Sequence, residues 1–157
     1  MSTTAATAKP KAFSRFEEIE LLVRGFEDGT WPRSEWNHGE HLAMAAWYMV
    51  CYPEAEALER IREGILRYNR AVGIVTTRES GYHETMTVFW AWMVKDFLRN
   101  ATLDCALADL FNEMIGRLSD RSLPFKYYTR ERLLSWEARK AWMEPDLQPL
   151  PAGRRKE

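Results

Sequence analysis

The chain is poor in the residues that usually announce a site or a compartment. It holds two cysteines and three histidines in 157 residues. Cys51 and Cys105 fall in separate helical patterns and make no CxxC, so they do not form a disulfide scaffold. Free thiols in a cytoplasmic protein are the expectation. No apolar run approaches the roughly 20 residues that a bilayer span needs, so no membrane passage is expected. Residues 1–12 are small and polar, carry two lysines and lack an apolar core segment. They are expected to be a disordered leader and not a secretory signal. Charge of one sign is lacking too. Twenty-two basic residues face twenty-three acidic ones, for a net charge of −1. That excludes a global electrostatic footprint for nucleic acid. The closing Gly-Arg-Arg-Lys-Glu is basic but short and is expected to be a solvated tail. Several catalytic signatures are missing: G-x-S-x-G, the P-loop, G-x-G-x-x-G and H-E-x-x-H. The Glu-x-x-His pairs of di-iron bundles are missing as well. Neither cysteine is close to a histidine in sequence, which argues against a thiolate nucleophile.

What is present is helical. Apolar residues make up 46% and charged residues 29%, ordinary values for one globular domain of this length. Seven tryptophans make it rich in residues that suit pocket walls as well as cores. The spacing predicts a first helix over 14–28, with Ser14 and Glu17 as a capping box and Gly29 as its stop. Thr30 to Trp36 reads as an ordered loop. A second helix is predicted over 37–51, capped by Asn37 with Glu40 three residues on, and nearly all apolar from Leu42 to Val50. A surface helix follows over 53–72, ended by Gly73. A fourth, over 82–100, is apolar on most of its faces. A fifth is predicted over 103–118, a short extended piece over 125–128 and a last helix over 129–143. The result is an all-α bundle of about five to six helices, with the second and fourth buried at its centre. The expected division is a leader at 1–12, a single helical domain at 13–144 and an extended arm at 145–157.

The chemistry concentrates in two runs, Asn37-His38-Gly39-Glu40-His41 and Tyr82-His83-Glu84-Thr85. They hold all three histidines and each opens a helix. His38 and His41, three apart, share one helix face. If neighbouring helices are antiparallel, the second and fourth run parallel, and His83 comes to the same end of the bundle. Three neutral imidazoles with an open position suit Zn(II), and also Fe(II), Mn(II) or Cu(II). A carboxylate in place of one gives the two-His-one-carboxylate set of oxygen-activating iron, with Glu84 the candidate. Glu84 lies about 100° round from His83, so it serves as a ligand only if the first turn is irregular. Otherwise it is a general base or a partner to a ligand. Glu40 reads more readily as a cap than as a ligand. Trp36, Trp47 and Trp90 are candidate apolar walls but read more readily as core. Tyr82, Thr85 and Thr87 are candidate hydrogen-bond donors. Arg78, which precedes the fourth helix and would lie near two helix starts, would suit a carboxylate or phosphate. Helix N-termini disfavour a cation and favour an anionic substrate.

The runs Trp36 to Leu42 and Tyr82 to Thr85, with Tyr127 to Glu131 and Pro145-Asp146-Leu147, resemble a group of small bacterial proteins without an established activity. The resemblance implies the same helical domain from the first helix to about Pro151, with the two histidine runs as its signature. A looser likeness to DinB-type bundles with three-His metal sites differs in histidine order and spacing, and nothing is carried over from it.

Two functions fit. One is a mononuclear, non-haem metalloenzyme acting on a small molecule. His38, His41 and His83 would be its ligands, and Glu84 a ligand or base. Hydrolysis and oxygenation are both open. The other is metal-free: a small-molecule-binding or acid–base protein using His83 and Glu84, or a structural or interaction domain. Homodimerisation is left open.

Overall fold

The computed structural model describes residues 12–152 except residue 103. The expected leader, apart from Ala12, and the end of the expected arm lie outside the described residues. Among the described residues the chain is all helical, with no strand. The helices are α1 (Phe16–Asp28), α2 (His38–Cys51), α3 (Glu54–Val72), α4 (Glu84–Asn100), α5 (Leu107–Arg117), α6 (Arg130–Leu133) and α7 (Trp136–Lys140). Short 3-10 turns cover Arg33–Glu35 and Leu123–Lys126. No described helix is long and apolar enough to cross a membrane.

Helix α2 is the hub and packs against α1, α3, α4 and α5. Its sequence explains this. Leu42, Ala43, Met44, Ala45, Ala46 and Tyr48 are all buried, so the apolar surface runs most of the way round. Three alanines in that stretch let neighbouring helices come close. Helix α4 adds Phe89, Ala91, Met93 and Val94 to the core. Helices α1 and α3 touch where Gly64 meets the Phe26 ring; a Cβ at position 64 would sit 2.6 Å from that ring.

Ion pairs report the helix directions. Lys95 and Arg99, late in α4, reach Glu54 at the start of α3. Arg62 in the middle of α3 reaches Glu84 at the start of α4. The two helices are therefore antiparallel. Helices α2 and α4 run in the same sense, as expected. His38 at the start of α2 meets Trp90, and Met49 near its end shares a hollow with Lys95 and Leu98.

Several boundaries differ from the sequence expectation. Glu18, and not Glu17, reaches back to cap α1, accepting from the N–H groups of Ser14 and Arg15. Helix α5 begins at Leu107, four residues later than expected. The piece over 125–128 is not extended: Phe125 and Lys126 end a 3-10 turn and Tyr127 follows as its C-cap. The single last helix is two, because Ser135 turns its hydroxyl to the N–H of Ala138 and starts α7 afresh. The described part of the arm is bound to the domain. Leu147 donates to the Tyr127 carbonyl, Asp146 takes both the N–H and the hydroxyl of Thr129, and the Trp92 indole donates to the Pro151 carbonyl.

Candidate functional site

The start of α2 folds as its sequence implies. Asn37 is the N-cap, and the Glu40 carboxylate accepts from the Asn37 N–H at 3.2 Å. Glu40 is thus a cap, as preferred from the sequence. His38 and His41 follow on one side of the first turn. His38 donates from Nε2 to the carbonyl of Leu118, the residue that closes α5, at 2.8 Å. Its ring stands edge-on to Trp90, with centroids 4.4 Å apart. His41 donates from Nδ1 to the Asn37 carbonyl at 2.8 Å and lies 4.1 Å from the Trp36 ring.

Each bond fixes a neutral tautomer, because a carbonyl can only accept. Burial lowers the affinity of both rings for a proton, against the opposing pull of the carbonyl each one meets, and the Arg121 charge lowers it further. His41 is pushed down to about 4, with neighbouring His38 a smaller contributor. Nδ1 of His38 and Nε2 of His41 keep their lone pairs and meet no partner among the described residues. The buried Trp36 indole N–H, packed among Phe26, Tyr68 and His41, also lacks an acceptor there.

His83 is used differently. It lies outside α4 and caps it. Nδ1 accepts from the Met86 N–H at 3.1 Å, while Nε2 donates to the carbonyl of Leu133, the last residue of α6, at 2.9 Å. Both nitrogens are spent, in a buried place. Burial again favours the neutral ring. Glu84 turns away from the histidines toward α3. Its carboxylate takes Arg62 at 2.6–3.1 Å and the Tyr82 hydroxyl at 2.7 Å. Hydrogen bonding to Glu84 is the largest cause holding the Arg62 guanidinium in its charged form.

The structure therefore does not assemble the expected set. Among the described residues no three His, Cys, Asp or Glu side chains stand where they could share an ion. His38 and His41 are together. His83 is not with them and has no free lone pair, and Glu84 is engaged by Arg62. The cause is stagger. His38 meets Trp90, whose Cα lies seven residues, or roughly 10 Å of helix rise, beyond that of His83. The parallel course of α2 and α4 was right, but their N-termini are not level. No family model, curated protein or solved structure matches the chain. The likeness of the histidine runs to a bacterial group gains nothing from those comparisons.

The other sequence candidates are structural ties. The Thr85 hydroxyl, fully buried, donates to the Ala141 carbonyl at 2.8 Å and accepts from the Met143 N–H at 3.1 Å. Thr87 donates to the His83 carbonyl. Trp47 packs on Phe16. The Arg78 guanidinium lies over Trp136. Arg139 carries no signature in the sequence pattern. This buried guanidinium donates to the carbonyls of Arg78, Gly81 and Tyr82 at 3.2–3.3 Å and clamps the loop that presents His83. Gly81 makes that loop tight. Its φ is 86°, and a Cβ there would sit 2.6 Å from the Thr76 Cα. Arg139 was missed because its partners are carbonyls some sixty residues away, which have no sequence signature.

A cleft of about 450 Å³ opens between α4 and α5. Met93 and Leu118, both buried, line it with Phe97, and Asp96, Asn100, Thr102, Glu113 and Arg117 give it a polar lining as well. It adjoins the histidine pair through Leu118, whose carbonyl holds His38.

The depressed histidines give the fold a signed pH dependence. The unfolded chain takes up protons near the ordinary value of 6.5, while folded His41 resists them until about 4. Stability is therefore complete above about pH 6.5 and falls as pH drops toward 4. His41 should account for about 2 kcal/mol of the loss by pH 4.5, allowing for its partial exposure. Urea midpoints of wild type and His41→Gln at pH 7.5, 6 and 4.5 measure it. The variant should show the flatter profile.

Proposed function

We propose that this domain binds a small molecule without a metal, in the cleft between α4 and α5, and that its histidines hold helix ends together. One observation carries the reading: the two histidines that reach across the fold, His38 and His83, each spend a ring N–H on the carbonyl that ends another helix. Terminal carbonyls are the acceptors a helix leaves unsatisfied, and a neutral imidazole supplies the missing donor. The partners that His83 and Glu84 already hold support a structural role for them over acid–base work. The cleft, by contrast, has a volume within the roughly 300–1,000 Å³ of small-molecule pockets, and its lining mixes apolar side chains (Met93, Phe97, Ala101, Leu118) with polar ones (Asp96, Asn100, Thr102, Glu113, Arg117).

A second reading keeps the ion at His38 and His41, because their unprotonated nitrogens, Nδ1 and Nε2, are left without partners in the first turn of α2. Two protein ligands and solvent would hold Zn(II) or Fe(II) weakly. Equilibrium dialysis of tag-free protein against Zn(II), with His38→Ala beside it, separates the two. The metal-free reading expects no stoichiometric uptake by either protein. One equivalent in the wild type, lost in the variant, would overturn it.

A further inference from the structure

We infer that the cleft between α4 and α5 selects an amphiphilic cation: a primary amine on an aromatic or branched apolar body. This rests on the cleft being the ligand site. The argument is one of charge. Part of the lining is apolar and partly aromatic, made by Met93, Phe97 and Leu118. Three charged side chains line the cleft too, and two of them cancel. Arg117 pairs with Glu113 one turn earlier on α5 at 3.0 Å, and its guanidinium lies 5.9 Å above the Phe97 ring. Asp96 has no cationic partner among the described residues; the one contact to its carboxylate is the Asn100 amide, at 3.4 Å. The nearest cations on its own helix, Lys95 and Arg99, are turned to Glu54. The cleft therefore offers one uncompensated carboxylate together with apolar lining.

An ammonium placed at Asp96 forms a charge-assisted hydrogen bond, the stronger kind. The body of the same molecule covers Phe97 and Met93. A carboxylate ligand finds no equivalent, since the cleft's one arginine is already paired. A neutral ligand gains the apolar contact but not the charge. The cleft is open and the contact partly solvated, so affinity for a fragment of about ten heavy atoms should be millimolar.

Three probes of matched shape test this: 2-phenylethylamine, 2-phenylethanol and phenylacetate, each titrated into the full chain and followed by amide chemical shifts. The expected result is that the amine shifts Asp96, Phe97 and Leu118 and binds about tenfold more tightly than the alcohol, with phenylacetate weakest. Asp96→Asn should bring the amine to the level of the alcohol while leaving alcohol binding and the melting temperature unchanged. If the alcohol or phenylacetate binds as tightly as the amine, or if Asp96→Asn keeps the amine preference, the charge selection is wrong although the cleft still binds. If none of the three shifts the cleft amides, the cleft is not a ligand site, and the parent reading falls with the inference.

Discussion

Replacing His83 with alanine is expected to lower the unfolding free energy by roughly 3 kcal/mol, equally with and without a chelator. Two losses add. The Met86 N–H at the start of α4 loses its cap, a change worth roughly 1 kcal/mol. The Leu133 carbonyl at the end of α6 loses its donor in a buried place, which costs roughly 1–3 kcal/mol. His83→Asn separates the two. A short amide can still cap α4, but it does not reach α6, so about 1 kcal/mol should return. Urea unfolding of wild type, His83→Ala and His83→Asn, each with and without EDTA, provides the check. A loss confined to metal-loaded protein would make His83 a ligand after all.

Arg139→Met is expected to cost roughly 2–3 kcal/mol, since methionine keeps the apolar stem but removes every donor. The carbonyls of Arg78, Gly81 and Tyr82 would be left without the guanidinium that now gathers them. The effect should be local as well as global. Amide hydrogen exchange over residues 76–82 should quicken more than that of α2. Arg139→Lys should recover less than half, because one ammonium cannot reproduce a planar fork spread over three acceptors. Uniform quickening across the chain would show that Arg139 serves general packing and not the loop.

These two residues also mark how far the sequence could be read. The start of α2 was legible because its cap is local: Asn37 and Glu40 satisfy each other within one turn. The stops at Gly29 and Gly73 were legible for a similar reason, since both adopt the left-handed conformation that glycine accepts readily. The start of α4 was misplaced because a histidine ring accepting an N–H is outside the usual capping residues, so His83 read as the helix interior. The break at Leu134 and Ser135 was hidden because apolar spacing continues through it. At the candidate site, antiparallel neighbours implied that α2 and α4 are parallel, and they are. Stagger along the axis leaves no trace in periodicity, and stagger decided whether three imidazoles met. The Arg62–Glu84 pair was out of reach for a related reason: it joins two helices across 22 residues, where any of several arginines on α3 would have read equally well.

The ties to the last quarter of the chain have a consequence for biosynthesis. Thr85 waits for the carbonyl of Ala141 and the N–H of Met143, and His83 for the carbonyl of Leu133. Protein chains emerge from the ribosome N-terminus first, at roughly 5–20 residues per second. Helices α1 to α3 can pair while translation continues, but the front of α4 cannot complete its bonds until some sixty further residues have been made. For several seconds the nascent protein therefore presents a half-finished α4, with Phe89 still lacking the Tyr127 and Tyr128 rings that pack on it, and that interval is when a chaperone would have most to hold.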